Sequence, residues 1–192
     1  MRPIPEEKYA RAGKPILLKL FGTPTPDPFS NPFLPVVESQ IIVASGVPGD
    51  DFLAAIKTAG SKLDDAGFYM HAPEPHLRPA IYEYDWYVPF DEIASFKQKT
   101  LVDHIPYVYY SPQGTWGLVT SDVHGVLGAP REFCQRICDL LPGIETEVQD
   151  FVQYHLRIKA EYPSRVDIHW LEPMLTSIYG SEKTIRLLKG DY

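Results

Sequence analysis

Nineteen prolines in 192 residues, eight of them within the first 35, set the strongest limit on what this chain folds into. Each proline lacks an amide donor and pushes its predecessor toward extended geometry. Thr23-Pro24-Thr25-Pro26-Asp27-Pro28 and Asn31-Pro32 are therefore closed to helix. The sequence predicts residues 1–35 as an extended proline-rich arm with one short strand, Ile16–Phe21. Phe29, Phe33 and Leu34 are expected to clip that arm to a single body formed by residues 36–192. The PxxP from Pro32 to Pro35 is not repeated, which argues against a proline-rich ligand for an aromatic groove.

Beyond residue 35 the pattern alternates. Val36–Ala44 is β-branched and reads as a strand. Asp50 to about Ala66 carries Phe52, Leu53, Ile56, Gly60 and Leu63 on one helical stripe, with Gly67 as its cap. Phe68–His71 and Ala80–Val88 read as strands, and Pro89–Lys99 as a helix. Ile105–Tyr110 and Thr115–Thr120 form the clearest hairpin, because Ser111-Pro112-Gln113-Gly114 suits a type I turn. Asp122-Val123-His124-Gly125 is a second turn, followed by a short strand at Val126-Leu127. Pro130 opens a helix over Arg131–Leu141, and Glu145–Tyr162 repeats the pattern. Val166–Trp170 fits a strand or a capped helix equally, and Pro173–Tyr179 and Glu182–Lys189 read as short helices. This order predicts an α+β fold, with a mostly antiparallel sheet and a helical C-terminal third.

Composition removes several function classes. The net charge is −7, and the segment 49–103 alone carries −5. A nucleic-acid partner, which requires clustered positive charge against phosphate, is not expected. No apolar run approaches the roughly 20 residues of a membrane-crossing helix, so no membrane partner is expected. The start, Met-Arg-Pro-Ile-Pro-Glu-Glu, lacks the apolar stretch of a signal peptide, and the expected location is cytoplasmic. Cys134 and Cys138 stand four apart beside an apolar helix face and read as buried structural residues. The six histidines show no metal-ligand spacing, so neither metal nor cofactor is expected. Ser45-Gly46-Val47-Pro48-Gly49 lies between a strand and a helix, but Pro48 removes an amide and Asp50 and Asp51 repel an anion.

Two candidate sites remain. Asp122 and His124 lie at a strand end, where an aspartate orients a general base. With Ser45, Ser111 or Ser121 as nucleophile they would make a small hydrolase or a ligand-binding enzyme, although no Gly-x-Ser-x-Gly elbow is present. The other candidate is the aromatic and acidic run Tyr82–Tyr87 with its acidic neighbours. Glu83, Tyr84, Asp85, Trp86, Asp91 and Glu92 combine rings, which bury area, with carboxylates, which steer a basic protein partner.

The run Tyr110–Asp122, with His124–Gly128 and Glu132-Phe133, resembles a segment of small bacterial proteins of the toxin-immunity kind. The resemblance spans about 25 residues and carries over no catalytic or binding residue. It implies a non-catalytic inhibitor that occludes a basic toxin, which agrees with the acidic aromatic segment as the contact surface. A structural subunit held by its proline-rich arm is the third reading.

Overall fold

The computed structural model describes residues 2–35, 37–44, 48–72, 85–93 and 107–191. Seven strands form one sheet in the order β1-β4-β3-β5-β6-β7-β2. They are β1 (Arg2–Pro3), β2 (Ser39–Val43), β3 (Gly67–His71), β4 (Asp85–Pro89), β5 (Val108–Tyr110), β6 (Gly117–Thr120) and β7 (Gly125–Ala129). Every neighbouring pair is antiparallel. Five α-helices accompany them among the described residues: α1 (Glu6–Phe21), α2 (Asp50–Gly60), α3 (Arg131–Leu140), α4 (Ile144–Glu161) and α5 (Leu171–Lys189). The α+β class and the helical C-terminal third are thus present.

Helices cover both faces of the sheet. On one face, α2 and α3 bring Leu53, Ile56, Phe133 and Ile137 onto Phe68, Met70, Leu118 and Leu127. On the other, α1, α4 and α5 bring Leu17, Leu20, Val152 and Leu175 onto Ile42, Val108, Val119 and Val126. Strands β5, β6 and β7 are buried at every residue. This double burial explains why Val108–Tyr110 and Gly117–Thr120 read as nearly unbroken apolar runs instead of alternating with polar residues.

The first 35 residues are not an extended arm. Residues 6–21 form a helix, and the expected strand at Ile16–Phe21 is its second half. Tyr9, Gly13, Leu17, Leu20 and Phe21 are buried at intervals of four, four, three and one, a helical stripe. Glu6 and Glu7 occupy the first turn, and Gly22, at φ 72°, closes the helix by donating its N–H to Leu18 O. Pro15 sits inside this helix and removes one ladder bond, a cost of about 3 kcal/mol. Complete burial of three large side chains, at roughly 1.5–3 kcal/mol each, outweighs that cost. Residues 22–35 do run without regular structure, and Phe33 fastens them, 7% exposed.

Other expected elements shift by small amounts. The helix from Asp50 ends at Gly60 and continues as a 3-10 turn over Ser61–Leu63. Asp64, at φ 59°, takes the left-handed position expected for Gly67, and Gly67 instead opens β3. The Ser111–Gly114 turn forms as expected, with Gly114 N–H on Ser111 O at 3.0 Å. Phe90–Glu92 is a 3-10 turn where a longer helix was expected. Residues 80–84, 94–99, 105 and 106 lie outside the described set. Residues 163–170 are turns and coil, so neither alternative for Val166–Trp170 holds; Asp167 Oδ1 accepts the His169 N–H at 2.9 Å. Within α5, Gly180 takes φ 77° and breaks the helix into two pieces, as the two short helices of the sequence reading required.

The break at Gly180 places the preceding side chain against a sheet edge. Tyr179 Oη accepts the Ile42 N–H of β2 at 2.9 Å. Lys183 covers the Tyr179 ring at 4.7 Å and reaches Glu145 Oε1 at 2.9 Å.

Gly117 and Gly128 pair across β6 and β7 and form a flat seat for the Phe21 and Phe33 rings, whose centroids are 4.8 Å apart. A Cβ on Gly117 would stand 2.5 Å from Phe21 Cζ, and one on Gly128 would stand 2.7 Å from the Phe33 ring. Gly117→Ala and Gly128→Ala are each expected to lower unfolding free energy by about 1–3 kcal/mol in a urea titration. Phe33→Leu should recover part of the loss in Gly128→Ala but little in Gly117→Ala. A wild-type midpoint in both glycine variants would refute the seat.

Candidate functional site

Strand β4 carries the aromatic and acidic segment, and the pleat divides it. Trp86 and Val88 face α2 and α3, whereas Asp85 and Tyr87 face the α1 side. Trp86 packs against the core, its ring 6.4 Å from that of Tyr107. Asp85 also turns inward. His71 stands opposite it on β3 and donates Nδ1–H to Asp85 Oδ1 at 2.7 Å, with the two side chains only 12% and 13% exposed. The Tyr9 ring of α1 stacks on His71 at 5.2 Å, nearly parallel. The expected contact residues Asp85 and Trp86 therefore serve the fold, because a side chain in mid-sheet, with a helix over it, is drawn into pairing. Glu83 and Tyr84 lie outside the described residues.

Around the His71–Asp85 pair, tyrosines collect. Tyr69 contacts Tyr87 at 5.6 Å and Tyr110 at 5.4 Å. The Tyr9 and Tyr110 hydroxyl oxygens are both buried, and neither makes a hydrogen bond among the described residues. Burial first, with a contribution from the Asp85 carboxylate, pushes both phenols well above their ordinary range.

The exposed acids gather at the far end of β4. Phe90 is buried, held under Gly60, and it turns Asp91 outward. Glu92 pairs with Arg2 of β1 at 3.7 Å. Tyr87, half-buried, feels the carboxylates of Asp65 and Asp91 and the guanidinium of Arg2; burial first raises its hydroxyl. Asp64 is exposed beside Asp65. Of the expected contact residues in the described set, Asp91 is exposed and Glu92 partly so, and Tyr87 joins them.

Asp65 itself is 6% exposed. It accepts the Ser111 hydroxyl and the Trp116 Nε1–H, each at 2.9 Å. Burial raises its carboxyl above the ordinary range, against the pull of those two bonds. Ser111 also accepts from Gln113 N–H and from the Thr115 hydroxyl, both at 3.0 Å. It is a knot under the hairpin turn and not a free nucleophile.

Asp122 and His124 do not pair. Asp122 is exposed, whereas His124 is fully buried. His124 donates Nε2–H to the Pro28 carbonyl at 2.8 Å, and its Nδ1 stands 3.2 Å from Ser121 Oγ, whose hydroxyl donates to the His124 carbonyl at 3.0 Å. Ser121 Oγ in turn accepts the Val123 and His124 amides. The His124 ring lies parallel on Trp170 at 5.3 Å, and Phe29 meets both rings edge-on. Thus His124 ties the proline-rich loop and the approach to α5 to the second hairpin. Asp122 was the nearest acid in sequence, but the turn directs it to solvent and turns the imidazole into the core. A carbonyl 96 positions away could not be read from local spacing.

Cys134 is buried and directs its thiol to Ser39 O at 3.7 Å; burial raises it to about 11. Burial, then Glu145, also raises Cys138. Among the described residues no group of three or more histidines, cysteines or acids is placed to hold a metal, and no helix is long and apolar enough to cross a membrane. No family model, curated protein or solved structure matches this chain.

Burial lowers His124 from 6.5 to about 4, with the Pro28 bond working the other way. The folded state therefore binds fewer protons than the unfolded state between these values. The stabilisation from neutral His124 is complete above about pH 6.5 and is lost as pH falls toward 4, an amount on the order of 2–3 kcal/mol. Urea midpoints at pH 7 and pH 4.5 should show a steeper decline for wild type than for His124→Phe. Equal declines in the two proteins would contradict this assignment.

Proposed function

We propose that this chain is a non-catalytic protein-binding module whose partner is a basic protein, as an immunity-type inhibitor that occludes a toxin would be. One observation carries the reading. Asp91 and Glu92 lie with half-buried Tyr87 at the end of β4, where Arg2 meets Glu92. Exposed carboxylates around a ring supply long-range attraction and a short-range anchor for a lysine or arginine side chain. The resemblance of Tyr110–Phe133 to toxin-immunity proteins makes a toxin the first partner to test. That segment is mostly buried β5–β7 hairpin, so the likeness bears on scaffold and not on contact residues.

Tagged protein is used as bait in lysate of its source cells at low and moderate salt. The expected result is one stoichiometric basic protein, released as salt rises. Asp91→Lys/Glu92→Lys should slow its association by about tenfold at low salt and flatten the salt dependence. Stopped-flow or surface binding rates measure this. An association rate indifferent to the double reversal would remove the acidic corner from the interface.

A further inference from the structure

Helix α2 and the turn between α3 and α4 leave an open cleft between them. One wall is residues 50–58 of α2, and the other is residues 140–147. Buried Val43, at the end of β2, and Ala55 form its floor. Leu140 stands at its lip. It continues the apolar stripe of Phe133 and Ile137 along α3, but it lies past the edge of the core and is 43% exposed.

Every charged side chain lining the cleft among the described residues is a carboxylate: Asp50 and Asp51 on α2, and Glu147 on α4. Asp51 and Glu147 are exposed, and their carboxylates make no hydrogen bond or ion pair among the described residues. Lys57 is exposed on α2 but does not line the cleft, and Lys183 is held by Glu145 outside it. The N-termini of α2 and α4, at Gly49 and Gly143, also open on the cleft. Each helix end contributes roughly half a positive charge against three carboxylates, so the cleft stays negative. An apolar strip with an unpaired acid on either wall is complementary to an apolar side chain flanked by cations.

We propose that this cleft receives a basic amphipathic helix of the partner, with leucine-type side chains on Val43, Ala55 and Leu140 and lysines or arginines against Asp51 and Glu147. This rests on the basic-partner reading above and gives that partner its apolar contact. The acidic corner at Asp91 and Glu92 steers an approaching cation but offers little apolar area, whereas an interface has an apolar centre. Helix α2 links the two places. Its N-terminus lines the cleft, and its last residue, Gly60, lies over Phe90 beside the corner. Its 11 residues, at about 1.5 Å each, separate them by roughly 16 Å, well inside one interface of about 800 Å² per partner.

The probe is a fluorescein-labelled helical peptide of leucine and lysine with its leucines on one face; a leucine–glutamate peptide of the same pattern is the control. Anisotropy at low and moderate salt reads its binding to the full-length chain, and methyl NMR of Val43, Ala55 and Leu140 locates it. The lysine peptide should bind and shift those methyls, and the glutamate peptide should not bind. Leu140→Ser, at an exposed position, should weaken binding about tenfold. Asp51→Asn/Glu147→Gln should weaken it about fivefold at low salt, and less as salt rises. Methyl shifts confined to other parts of the chain, or an affinity that neither variant changes, would overturn the cleft as the docking site. A basic protein captured from lysate that binds Leu140→Ser as tightly as wild type would also overturn it, while leaving the basic-partner reading intact. Capture of no basic protein, with the lysine peptide still held at the cleft, would sink the partner reading alone.

Discussion

The structure depends on a sheet with no wet face at its centre. Strands β5, β6 and β7 bury every residue, so each face must be covered. Two helices meet one face and three meet the other. That requirement recruits the N-terminal third, which by its prolines would otherwise stay extended. Leu17, Leu20 and Phe21 fill the space over Val108, Val119 and Val126, and this burial keeps residues 6–21 helical despite Pro15. The proline-rich stretch after Gly22 then lies where Phe33 meets Gly128 and Pro28 meets His124.

The same demand for burial converts polar residues into structural fasteners. Asp65 holds Ser111 and Trp116 beneath one turn, Ser121 and His124 lock another, and His71 pairs with Asp85 in mid-sheet. Each resembles a catalytic arrangement in composition. Each is also withdrawn from solvent, with its acceptors engaged, so its contribution is to specify which turn and which loop meet. Of the acids on β4 and just after it, Asp91 is the one left fully exposed among the described residues, where the strand runs into a 3-10 turn.

Local pattern made much of the scaffold legible. The Ser111–Gly114 turn fixed the β5–β6 hairpin, Pro130 marked the start of α3, and the periodicity of Val148, Phe151 and Val152 marked α4. What escaped was everything set at long range. The helix over 6–21 was hidden by Pro15, although Glu6, Glu7 and Gly22 mark its ends. Of the site residues, Asp91 and Glu92 were readable because a turn beyond a strand is exposed almost wherever the strand lies. Asp85 and Trp86 were not, because their fate depended on His71 and α2. Asp122 and His124 looked like partners because they are two apart, yet a turn sends such neighbours in different directions.

The two edges of the sheet are closed by different devices. At β2 the Ile42 amide is already satisfied by the Tyr179 hydroxyl, held by the break at Gly180 and covered by Lys183. At β4 the cover is two residues that include a proline. A sheet that can lengthen from both sides propagates copy upon copy into fibres, whereas one that can lengthen from a single side stops after one addition. The Tyr179 hydroxyl thus takes up an outward amide of β2 that a further strand would otherwise use.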